Sequence, residues 1–324
     1  MSGVTRGFPF WIARTMTPNP VSWLHRLAAL LALMIFTGMT VGAHVRSSLA
    51  AARGQHVLSE LPYQAGYSGL ILAAVCCAIV FAIWLGVSEV RNYVKALGAM
   101  AVGLLIIFAA TSLRTTMLDQ GTAGLIIRAG AINVLFMLFC SLAFFTRTDW
   151  NWKQSPVADV AKPSLRALLC STTGLIFVES VLGAGLTVHL LRTPAHVWTG
   201  LVTTFAALWV LEIAWNKFAQ LTPVKVPCIL LAEIVVLQLL LGLVAHSMEL
   251  NARVSMLPGL PVMAATHAAA AALALAASLF ATFQAFKYLA PAKSLEIAVP
   301  TADTTAGSRV AEVLRRDLDA DPRG

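Results

Sequence analysis

Histidines recur on one side of this chain's apolar segments. His44, His189, His196 and His246 fall at the same end of four of them, and His267 falls about two turns inside the last. An imidazole near hydrocarbon is costly unless it is hydrogen-bonded or bound to metal, so several at one depth point to a cofactor. Two imidazoles from separate helices can fill both axial positions of a heme iron. His196, which opens the sixth apolar segment just after Pro194, and His267, set in Ala264-Ala265-Thr266-His267-Ala268-Ala269-Ala270, are the pair best placed to do so. Runs of alanine let a flat macrocycle approach the helix backbone. The expectation is a heme b with His196 and His267 on its iron, and with His44, His189 and His246 as further candidates for contact with a heme propionate or a bound substrate. The competing reading makes His196 a hydrated helix-start residue and His267 a hydrogen-bonded contact between helices.

Three other charges lie well within apolar segments: Arg128, Glu179 and Glu233. Each costs about 2.5–3.5 kcal/mol at the bilayer centre, so each is expected to face the interior with a partner. Arg128 is expected to meet a heme propionate or Glu179, and Glu233 to be a neutral carboxyl hydrogen-bonded between helices.

The elements that must position these residues are membrane spans. Hydrophobic residues make up 58% of the chain and charged residues 12%, and the mean hydropathy is +0.79, far from a water-soluble domain. Segments long enough to cross a core of about 30 Å can be read at 27–43, 67–87, 96–113, 123–145, 167–190, 197–215, 226–245 and 260–286. The expected fold class is an all-α membrane protein of eight transmembrane helices.

Cytoplasmic loops hold excess positive charge. Lys95, Lys153, Lys162, Lys217, Lys225, Lys287 and Lys293 fall in the even-numbered loops or the C-terminal tail, and Arg6, Arg14 and Arg26 precede the first span. Both termini are therefore expected in the cytoplasm, with the histidine layer outside. The first span resembles a signal peptide in its flanks but is longer than a usual signal core, and is read as retained. The net charge of +8 follows from this topology together with attraction to anionic lipid, and no nucleic-acid partner is needed. The expected location is the inner membrane of a bacterial cell. The five cysteines all lie within spans or at their cytoplasmic ends, and no CxxCH is present for covalent heme attachment.

The spans divide four and four. A segment 1–22 precedes a first half at 23–146, a polar linker covers 147–165, a second half covers 166–289, and a polar tail at 290–324 is expected to be disordered. The first span of each half closes on histidine and then arginine: Gly42-Ala43-His44-Val45-Arg46 in one, Gly185-Leu186-Thr187-Val188-His189-Leu190-Leu191-Arg192 in the other. Equal span counts with the same starting side make the halves parallel repeats about an axis along the membrane normal. P-loop, HExxH and Asp-rich prenyl-diphosphate motifs are absent.

With these features on the page, the chain resembles the heme A synthases of cytochrome oxidase assembly. The likeness spans about 23–286 and is carried by short motifs. Leu237-Gln238-Leu239-Leu240-Leu241-Gly242-Leu243 resembles the family's run in span seven, Ala264-Ala265-Thr266-His267 its span-eight histidine, His196 its span-six histidine, and Gly42-Ala43-His44-Val45-Arg46 the end of its first span. The resemblance implies oxidation of a methyl group of heme o, the substrate, to the formyl of heme a. It further implies a heme b in the C-terminal half passing electrons, and heme o synthase or oxidase-assembly proteins as partners. The chain departs from the family in its first half. Where a glutamate and a His-Arg pair open span two, it has Gln64-Ala65-Gly66-Tyr67-Ser68, and Arg128 stands where span four has histidine. The paired loop cysteines of many members are missing too. Tyr67, Arg128 and Glu179 are thus the catalytic candidates. Tyrosine can ligate ferric heme, whereas a guanidinium stays protonated. A second reading is a non-catalytic cytochrome b or oxidase-assembly subunit with one heme b. A third is a transporter, disfavoured because the spans lack the Gly/Pro interruptions of discontinuous helices.

Overall fold

The structure, a computed structural model, describes residues 20–51, 61–114, 122–147, 156–186, 193–252 and 259–291. Within them run eight helices, each long and apolar enough to cross a membrane: α1 (Pro20–Ala51), α2 (Leu61–Val87), α3 (Asn92–Arg114), α4 (Thr122–Phe145), α5 (Leu165–Leu186), α6 (Thr193–Lys217), α7 (Thr222–Ala252) and α8 (Leu260–Tyr288). Hydrocarbon offers no partners for backbone N–H and C=O groups, so a helix that pairs them internally is the form such segments take. Most of the helices outrun the apolar stretches that announce them. Hydropathy marks where lipid begins, whereas a helix continues until its hydrogen bonding stops. His44 and His246 therefore sit inside the last two turns of α1 and α7 rather than at helix ends.

Packing divides the helices into two rings. α1 touches α2, α2 touches α3, α3 touches α4 and α4 returns to α1; α5, α6, α7 and α8 repeat the circuit. The rings dock through α1 on α8, α4 on α5 and α4 on α8. At that seam Phe144 of α4 packs against Phe280 and Phe283 of α8, with ring centres 5.4 and 5.1 Å away. α8 makes its close approaches with small residues: Ala270, Ala272, Ala274, Ala277, Ser278, Ala281 and Ala285 are all buried. Without a hydrophobic drive between helices in lipid, such surfaces bring backbones near enough for dispersion forces to hold them. Large apolar side chains such as Ile83, Ile107, Ile127 and Phe205 point outward instead.

Two short strands sit beside the bundle. β1 (Val157–Asp159), in the linker, pairs in parallel with β2 (Leu289–Pro291), directly after α8. The tail expected to be disordered from residue 290 thus begins in a paired strand, because β1 supplies partners for its backbone groups; residues 292–324 lie outside the described residues. Asp159, at the end of β1, is buried and accepts hydrogen bonds from the backbone N–H groups of Leu165 and Arg166, both at 3.2 Å. A carboxylate on these otherwise unpaired donors fixes where α5 starts.

Candidate functional site

The start of α5 decides the depth of Glu179. Fourteen residues separate Leu165 from Glu179, about 21 Å of helix, which carries the carboxyl to the far third of the bundle. α6 and α8 begin at that far end, so His196 lies about 5 Å and His267 about 10 Å along their helices. The three side chains meet there. Glu179 Oε1 is 2.7 Å from His196 Nδ1, with the two side chains 14% and 19% exposed, so both belong to the bundle interior. The carboxylate approaches off the axis of the ring N–H, making a close polar contact rather than an aligned hydrogen bond. Its other oxygen, Oε2, accepts the hydroxyl proton of Thr199.

From the opposite side of the ring of helices comes His267, whose imidazole centre is 6.2 Å from that of His196, with the planes at 82°. The amide of Gln238, on α7, donates to His267 Nε2 at 3.3 Å, and His267 Nδ1 is buried without a hydrogen-bond partner. Each ring also rests on a glycine. A Cβ on Gly183 of α5 would stand 3.3 Å from His196 Cε1, and one on Gly242 of α7 would stand 3.0 Å from His267 Cε1. Side chains at these two positions would displace the imidazoles. The run Gly183-Ala184-Gly185, whose small residues suit helix packing or close cofactor contact, thus begins with a seat for the His196 ring.

The two ring centres stand at the separation that imidazoles sharing one metal would have. Imidazole nitrogens bind metals at about 2 Å, so two rings sharing one ion end to end have centres about 6 Å apart. Among the described residues no group of three or more His, Cys, Asp and Glu side chains is placed to hold a bare ion. A heme iron asks only two ligands of the protein. His44 and His246 do not join His196 and His267 in one ligand set, and His189 lies outside the described residues.

The first half gathers polar side chains from three of its four helices at the end where α1 finishes and α2 and α4 begin. Arg46 of α1 and Tyr67 of α2 both lie over Gly42, 3.3 and 4.0 Å from where its Cβ would stand, and Arg128 of α4 lies within electrostatic range of Tyr67. The Arg128 guanidinium lies 5.6 Å from the ring centre of Phe108 on α3. Tyr67 leans on α1 as His196 leans on α5: its Cε2 would be 3.9 Å from a Cβ on Gly38 and 4.0 Å from one on Gly42.

Two expectations change. Arg128 and Glu179 do not pair, because α5 turns Glu179 toward α6, where His196 and Thr199 engage both oxygens. Glu233 is not an interior carboxyl either. It lies on the exposed stripe of α7 formed by Val226, Leu230, Leu237 and Leu240, since helical spacing from those residues carries position 233 to the lipid side. Sequence reading passed over Thr199 and Gly242 as site residues. It noted Gln238 and Arg46 only within motifs.

No family model matches the chain, and neither curated proteins nor solved structures give a match.

Proposed function

We propose that this chain is a heme-binding integral membrane protein of the heme A synthase type, with one heme b held in its second half by His196 and His267. The observation that carries the reading is the pair itself: two imidazoles from α6 and α8 with centres 6.2 Å apart, each seated on a glycine. Bound there, a heme b would supply one-electron transfer. The chain's own residues orient the ligands. Glu179 steadies the Nδ1 edge of His196 and Thr199 steadies Glu179; with heme bound, the Gln238 amide would turn so that its Oε1, buried without a partner, accepts from His267 Nε2–H and leaves Nδ1 to the iron. Carboxylate and amide partners of this kind set ring orientation at metal sites. The lysine pattern supports cytoplasmic termini and a site on the outer side of a bacterial inner membrane.

The two rings of helices support a parallel duplication. Under a twofold exchange of halves, α1 on α8 becomes α5 on α4, and both contacts occur. Gly42 under Tyr67 then answers to Gly183 under His196, and one turn earlier Gly38 beside Leu70 answers to Glu179 beside Thr199. The first half would so have an apolar contact where the second has a carboxylate and its hydroxyl partner. It would carry Tyr67 for His196 and Arg128 for His267. By resemblance, oxidation of heme o to heme a belongs to the first half. The cluster of Arg46, Tyr67 and Arg128 there favours the second reading, a cytochrome b or assembly subunit that keeps one heme and lacks the reaction.

The absorption spectrum of the purified full-length chain tests the heme, and chromatography of extracted heme separates the two readings. Two substitutions probe the supports. Glu179→Gln keeps the volume and removes the charge, and is expected to weaken heme retention by about 10- to 100-fold, with a shifted midpoint potential of what remains. Unchanged retention and potential would remove Glu179 from the site. Gly242→Ala is expected to perturb the low-spin spectrum by pushing on His267, whereas Gly103→Ala, which meets open space, should leave it unaltered.

A further inference from the structure

We propose that the first half binds the anionic headgroup of an amphiphilic molecule, a phosphate or carboxylate, between Arg46 and Arg128 with Tyr67 as a third donor. This stands on charge and hydrogen-bond accounting, and holds whether or not the second half carries heme.

Two guanidiniums enter the same end of the first ring of helices. Arg46 Nη1 would lie 3.3 Å from a Cβ on Gly42, so this side chain folds along its own helix toward the spot where Tyr67 rests. Arg128 comes from α4 with Phe108 against it. Arg46 Nε and Arg128 Nη1 are both buried without a hydrogen-bond partner. No acid on these helices answers them, for α1, α2, α3 and α4 contain neither aspartate nor glutamate. Glu60 and Asp119, the acids nearest in sequence, lie outside the described residues. Glu179, in the other half, is taken up by His196 and Thr199.

Buried guanidinium N–H groups without acceptors are expensive, and the fork geometry of arginine matches the paired oxygens of a carboxylate or phosphate. Phenol adds a neutral donor. The surroundings favour an amphiphile over a free ion. Ile127, next to Arg128, is 72% exposed, and Leu113, near the end of the helix that carries Phe108, is 47% exposed. An acyl chain can lie on this apolar flank of α3 and α4 while its headgroup reaches the arginines.

The test uses the full-length chain in an uncharged detergent, with native mass spectrometry and thermal unfolding as readouts. The probes are phosphatidylglycerol, oleate, phosphatidylcholine and inorganic phosphate. Phosphatidylglycerol, oleate or both should be retained and raise the unfolding midpoint. Arg46→Gln and Arg128→Gln should each weaken retention about tenfold. A response to phosphatidylglycerol alone assigns the phosphate of a lipid, and one to oleate alone assigns a carboxylate. Equal responses to phosphatidylcholine, a response to inorganic phosphate as large as to the amphiphiles, or no response at all would each overturn the proposal. Where the glutamine variants do not fold, Arg128→Lys and Tyr67→Phe take their place. Both should weaken retention of the responding amphiphile, and unchanged retention in both overturns the site.

Discussion

Alanine at either His196 or His267 is expected to abolish the low-spin heme spectrum of the purified protein, because two-imidazole ligation needs both rings. The effect should be near complete for each single substitution and no larger for the double, since the partners act as a unit. His44→Ala and His246→Ala, outside this ligand set, should retain the low-spin form. Binding of exogenous imidazole to either alanine variant, with return of the low-spin bands, would show that the cavity survived and only the ligand was missing. A spectrum unchanged in both variants would sink the assignment outright.

Little or no heme a should form when this chain is expressed with a supply of heme o in a host lacking its own synthase. The reason lies in Tyr67 and Arg128, which by the proposed resemblance stand where that family has histidines. A guanidinium stays protonated and cannot serve as an ordinary iron ligand. Chromatography of extracted hemes reads the result directly. Abundant heme a from the unaltered chain, retained by a Tyr67→Phe, Arg128→Gln double variant, would show that these positions do not limit the chemistry. The argument from missing ligands would then be wrong.

The sequence makes the spans plain because membrane crossing demands long apolar stretches, and each of the eight has its helix. His196 and His267 are legible for a related reason, since few residues are as out of place in hydrocarbon. What cannot be read is the rotation of one helix against the next. Glu179 could face α4 or α6 from its spacing alone, and packing turns it to His196 rather than Arg128. Glu233 shows the same limit in reverse, a charge expected inside that packing leaves on the lipid face of α7. Gly183 and Gly242 look like ordinary helix-packing glycines until the rings resting on them are seen. Arg46 falls beyond the apolar stretch 27–43, whereas α1 continues to Ala51 and keeps it helical.

The short strand pair has a consequence for how such a molecule could arise. β1 precedes α5 and β2 follows α8, so the two ends of the second half meet in one parallel pair. A four-helix unit whose entrance and exit adjoin is portable: it can be copied behind another such unit, or severed from it, without its own circuit opening. The covalent connection between halves then only has to bridge from α4 to β1, residues 146–156, and carries none of the second half's closure. Expressed as two polypeptides cut within that bridge, the halves would reassemble through the seam of α1, α4, α5 and α8, as parts that recognise each other by surface rather than by tether.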